Sequence, residues 1–79
     1  MRTTYEVWIL GYDENDNVND YDKIINTFNS KLEAIDFAEG CKIKRPKETP
    51  KAQLVVEKVV HYKYVSECVE RLYERELGD

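Results

Sequence analysis

The stretch Thr4 to Tyr12, T-Y-E-V-W-I-L-G-Y, constrains the fold of this chain more than any other. Side chains alternate along a strand, so Tyr5, Val7 and Ile9 share one face while Glu6, Trp8, Leu10 and Tyr12 share the other. Both faces are therefore largely apolar. That pattern predicts an interior strand with a neighbour on each side and material over both faces, since an edge strand would show a polar residue at every second position. Trp8 then packs under a covering layer, or it faces solvent as an anchor for a partner.

After Tyr12 the run Asp13-Glu14-Asn15-Asp16-Asn17 collects residues that tolerate left-handed backbone and close side-chain turns, which predicts a hairpin loop. The return strand is expected to resume regular pairing near Asp22 and to end at Phe28. Ser30 and Glu33 form S-x-x-E before an apolar-periodic run, the pattern of a capped helix start. Leu32, Ile35 and Ala38 line one side of that helix, with Ala34, Phe37 and Cys41 extending it and Gly40 as its stop. Two prolines and a run of lysines then mark a surface loop over Cys41 to Lys51. From Ala52 the β-branched and aromatic run L-V-V-E-K-V-V-H-Y-K-Y predicts a second secure strand, with a bend or bulge near Glu57 and Lys58. Val65, Cys68, Val69, Leu72, Tyr73 and Leu77 recur at helical spacing, with Ser66 as N-cap, so a C-terminal helix is favoured over a continued strand.

The fold expected from this order is α+β, β-β-α-β-α, with a three-stranded antiparallel sheet in the order 2-1-3 and two helices. A chain of 79 residues has room for one core, so residues 1–79 form a single domain. A core that small leaves part of the stability to be supplied by binding or by a homodimer. No window reaches membrane-spanning length, and no charged leader followed by an apolar run opens the chain. Cys41 and Cys68 form no C-x-x-C unit, which fits reduced packing thiols in a cytoplasmic protein.

Chemistry-bearing patterns are few. Asp13, Asn15 and Asn17 match the first three ligand positions of a calcium loop, but Val18 stands where glycine is needed and Ile24 where a bidentate glutamate belongs. His61 is the only histidine, and nothing in its spacing brings a cysteine to it. With Gly11, Gly40 and Gly78 as the only glycines there is no phosphate-binding loop, so no cofactor, metal or catalytic residue is assigned and no enzyme activity is expected. The net charge of −4 divides into −6 over residues 1–39 and +2 over residues 40–79. The basic part, Lys42, Lys44, Arg45, Lys47 and Lys51 beside His61 and two tyrosines, suits phosphate contacts and is the basis of a nucleic-acid-binding alternative. The acidic part, Asp13, Glu14, Asp16, Asp20 and Asp22, can imitate phosphates and enter a basic groove on a nucleic-acid-handling protein.

The segments Y-E-V-W-I-L-G-Y-D-E-N-D-N, T-F-N-S-K-L-E-A-I-D-F-A-E and L-V-V-E-K-V-V, within residues 4 to 60, resemble small proteins carried by phages and mobile elements of Gram-positive bacteria. That resemblance implies a β-β-α-β domain and an intracellular accessory role, such as binding and inhibiting a host defence or replication factor, as anti-CRISPR proteins do. The function expected is thus a non-enzymatic protein-binding module that uses Trp8, Tyr12, Tyr62 and Tyr64 or the acidic hairpin residues Asp13, Glu14 and Asp16. A domain that mainly dimerises is the third expectation.

Overall fold

β1 (Arg2–Tyr12) lies between β2 (Val18–Phe28) and β3 (Lys51–His61) in a four-stranded antiparallel sheet, and β4 (Ser66–Glu76) pairs with the outer side of β3. The computed structural model describes residues 1–79. One helix, α1 (Lys31–Gly40), carries the chain from β2 to β3 across a single face of the sheet. The interior placement of β1 expected from its apolar residues is found. Pairing with β2 resumes at Leu10 opposite Asp22 and ends at Tyr5 opposite Phe28, the bounds expected, but it slips once, at Ile25 between Val7/Asn26 and Trp8/Ile24.

The buried layer lies between α1 and the sheet. Val7 and Ile9 of β1 meet Ala52, Leu54 and Val56 of β3, and α1 closes over them with Ala34 and Ala38, one turn apart. Two alanines on the inner stripe let the helix backbone approach the sheet closely, and Phe28 and Phe37 seal the margin with ring centroids 5.4 Å apart. Leu32, expected on that stripe, is instead 70% exposed, because the stripe runs through Ala34, Phe37, Ala38 and Cys41. The Ser30 hydroxyl accepts from the Glu33 amide at 3.4 Å and starts the helix as its sequence predicts. At the other end α1 has no basic residue in its last turn; the Arg75 guanidinium of β4 supplies one, donating to the carbonyls of Ala38 and Cys41.

The expected three-stranded sheet with two helices is corrected by β4. Residues 66–76, read as a helix, form a fourth strand, which makes the sheet order β2-β1-β3-β4. The reason lies in the register: between Val56/Glu57 and between Lys58/Val59 the pairing slips, so that Leu72 and Val69 are extra residues on β4. Each bulge turns a spacing of two into a spacing of three, and two bulges in one strand reproduce the apolar spacing of a helix. The irregularity anticipated near Glu57 and Lys58 is therefore real, but the surplus residues sit on the partner strand, and β3 pairs with β1 without a slip.

Losing the second helix leaves the other sheet face without a covering layer. A ten-residue helix is about 15 Å long against roughly 36 Å for an eleven-residue strand, so even the covered face is covered only in part. The Cα trace, 38 × 27 × 15 Å, has the thickness of one sheet and one helix.

Gly11 marks a close approach between β1 and the irregular start of β2. A Cβ there would stand 2.5 Å from Asn19 Oδ1, 2.7 Å from Thr49 Oγ1 and 2.8 Å from Tyr21 Cβ. Those atoms are fixed: Asn19 donates to Thr49 at 2.8 Å and accepts from the Tyr21 amide at 2.9 Å, while Thr49 also donates to the Lys51 carbonyl at 2.8 Å. Gly11→Ala is expected to lower stability by about 1–3 kcal/mol, as overpacking does, read as a lower urea midpoint. An unchanged midpoint would show that this junction yields freely.

Candidate functional site: the uncovered face of the sheet

The alternate residues of β1 that point away from α1 are Thr4, Glu6, Trp8, Leu10 and Tyr12, and their partners across β3 are Val59, Glu57, Val55, Gln53 and Lys51. Trp8 and Leu10 are half-buried, and Val59 is 6% exposed. Val55 is fully buried although no element lies above it; its neighbours in the register are Trp8 on one side and Glu74 on the other. The result is an open apolar groove of about 380 Å³ between Trp8, Leu10 and Val59, bordered by the carboxylates of Glu6, Asp22 and Glu57 and by His61, Ser66 and Cys68. No lysine or arginine lines it. Such a groove is shallow for enclosing a small molecule and well shaped for side chains of a macromolecule.

Polar groups on this face are arranged in three sets. The Trp8 indole N–H donates to Glu6 Oε1 at 3.0 Å. Glu57 is fully occupied: Oε1 accepts from Arg71 Nη2 at 3.0 Å and Nε at 3.2 Å, and Oε2 accepts from the Cys68 thiol at 3.1 Å. Arg71 reaches on to Glu74 at 3.3 Å. Third, His61 bridges two hydroxyls, with Nε2 2.7 Å from Thr4 Oγ1 and Nδ1 2.7 Å from Ser66 Oγ. A hydroxyl in Thr4's position can orient the ring but supplies no carboxylate to hold an imidazolium, so the set lacks the third member of a hydrolytic triad.

Glu6 and Glu57 stand directly opposite each other on adjacent strands of this face. Like charges in that relation oppose sheet formation. Glu57 has Arg71 to offset it, whereas Glu6 holds only the indole N–H, and Asp22 forms no ion pair within the chain.

The residues singled out from sequence are spread along the molecule. Trp8 and Tyr12 lie on the open face, with Tyr12 at the hairpin end. Tyr62 and Tyr64 sit in the β3–β4 turn at the opposite end, about 30 Å from Tyr12 along the strands, with the Lys63 ammonium 5.2 Å from the Tyr64 ring centroid. The four aromatics therefore form no single patch. In the hairpin, Asp13 Oδ1 accepts from the amides of Asn15 (2.8 Å) and Asn17 (2.9 Å), and these backbone bonds, Asn17 first, hold its carboxyl below the ordinary range. Asp16, at φ 66°, pairs with Lys51 at 2.7 Å, and Glu14 is exposed. Asp13 and Asp16 thus build the turn. Of the basic loop, Lys42, Lys44 and Lys47 are exposed, while Arg45 is tied to Asp79 at 2.6 Å and to the Thr49 carbonyl at 2.7 Å, and Lys51 to Asp16. The larger hollow at that end, about 680 Å³, is bordered by the Arg45–Asp79 and Lys51–Asp16 pairs together with Arg71, Glu74 and Glu76.

Glu6, Asp22, Glu57 and Arg71 escaped the sequence reading as a group because only the strand register brings them to one face. The signal that was available is the alternation of Glu6 with Trp8 and Leu10. The two cysteines stand apart: Cys41 packs at the margin of the α1 layer, and Cys68 belongs to the open groove.

Desolvation first, then the hydrogen bond to Glu57, push the Cys68 thiol above its ordinary pKa. A raised pKa leaves less thiolate at a given pH, so Cys68 should react slowly with iodoacetamide at pH 8 despite its exposure. Glu57→Gln should shift the pH profile of alkylation downward and speed reaction at pH 8 about two- to fivefold; an unchanged profile would separate the thiol from Glu57. No protein-family model, curated protein or solved structure matches the chain.

Proposed function

We propose that this protein is a binding module for another protein and that its working surface is the uncovered sheet face centred on Trp8. One observation carries the reading: a half-buried tryptophan, Leu10 and Val59 lie together on a face that no element of the chain covers. Aromatic residues in such a setting are the usual energetic centres of interfaces. The face measures roughly 700 Å² from strand length and spacing, close to the roughly 800 Å² that each partner contributes to a standard interface.

The sheet rims are poorer candidates. Both outer strands are irregular, β2 around Ile25 and opposite Gly11, β4 at Val69 and Leu72, and bulged, charged rims resist the addition of a further strand. The acidic balance of residues 1–39 supports a partner with a basic surface, such as a nucleic-acid-handling protein, and the resemblance to accessory proteins of phages and mobile elements supports a host defence or replication factor as that partner.

Trp8→Lys leaves the α1 layer untouched and places a cation at the centre of the face. A partner captured at one-to-one stoichiometry by the wild type should be lost with Trp8→Lys, at least about a hundredfold in affinity, and retained with Glu14→Gln. Retention by Trp8→Lys, with the circular dichroism of both variants unchanged, would move the working surface elsewhere.

A further inference from the structure

We infer that the open face recognises a cationic segment of its partner, with an arginine side chain laid against Trp8 between Glu6 and Asp22. The inference rests on the reading of the sheet face as a docking surface and names what that surface selects.

Charge decides the occupant. Three carboxylates border the groove and no lysine or arginine does. Of the three, Glu57 is already neutralised by Arg71, whereas Glu6 and Asp22 have no cationic partner within the chain. Both belong to residues whose register places them beside the apolar strip: Asp22 is opposite Leu10, and Glu6 shares its face and strand with Trp8. An indole flanked by carboxylates offers a guanidinium what it needs in one place, a π face to stack on and two acceptors at its edges. The ammonium of lysine, a compact and strongly hydrated charge, uses the stacking surface less well. A second copy docked face to face would instead bring these same carboxylates toward each other across a two-fold interface, which costs binding energy.

The Glu6–Glu57 juxtaposition points the same way. Arg71 offsets Glu57, which leaves Glu6 as the member of this cross-strand pair without a cation. An incoming cation supplies what Glu6 lacks, so a neutral residue at position 6 should make the complex weaker.

The test uses the intact chain and a synthetic peptide alternating leucine and arginine, with leucine–glutamine and leucine–glutamate counterparts as controls. Trp8 is the only tryptophan, so its emission reports occupancy of the face directly. The arginine peptide should shift Trp8 emission, protect Cys68 from alkylation, and bind more weakly as salt is raised; the glutamate peptide should do none of these. Glu6→Gln and Asp22→Asn should each weaken the arginine peptide about two- to fivefold. Glutamine keeps an acceptor for the indole N–H, so the loss would not come from a displaced Trp8.

Equal binding of the glutamine and arginine peptides would overturn the charge selection while leaving the face as a docking surface. Failure of every peptide to perturb Trp8, or affinities unchanged by Glu6→Gln and Asp22→Asn, would overturn it as well. Salt-sensitive self-association that buries Trp8, with the exposed Lys42, Lys44 and Lys47 of a second copy as the cations, would replace the foreign partner with this chain itself.

Discussion

Eleven consecutive pairs between β1 and β3, from Arg2 with His61 to Tyr12 with Lys51, are the frame on which everything else is hung. The strands are far apart in sequence, and their pairing brings Val7 and Ile9 against Leu54 and Val56 to make the floor of the only buried layer. Each outer strand then joins this pair as a hairpin, β2 to β1 and β4 to β3, and each is irregular where the central ladder is not. The regular part of the molecule carries the stability. The irregular part adjusts the sheet to it.

The same frame explains why a sequence apolar on both faces yields a sheet covered on one. Taken alone, β1 has Trp8 and Leu10 on its second face. Read with its neighbour, that face acquires Gln53, Glu57 and His61 from β3, and with the outer strands Asp22, Arg71 and Glu74. Apolar residues gathered on the central strands and at Ile24, opposite Trp8, with charged ones around them, are the composition of an interface with a polar rim rather than of an interior. Val55 illustrates the difference: it is fully buried between Trp8 and Glu74 of the neighbouring strands although no element lies above it.

Much of the architecture could be read from residues whose local chemistry agrees with their tertiary setting. Ser30 starts the helix, Asp13 to Asn17 turn the hairpin, and the β-branched run after Ala52 is the second central strand. The C-terminal strand could not, because bulges at Val69 and Leu72 give an extended chain the period of a helix, and no local signal distinguishes the two. Only the β3 partner settles it. The candidate site divides in the same way: Trp8 and Tyr12 were visible as aromatics of β1, whereas the association of Glu6 with Glu57 and of Cys68 with Arg71 through Glu57 exists only once the register is known.

Arg75 gives the order of assembly a direction. The carbonyls at the end of α1 receive their cation from the last strand, and Leu77 beyond it completes the hydrophobic layer beneath the helix. During synthesis the helix therefore emerges well before Arg75 and Leu77, the residues that finish its end and its hydrophobic layer. The helix and the C-terminal strand should therefore open and close together as one cooperative unit.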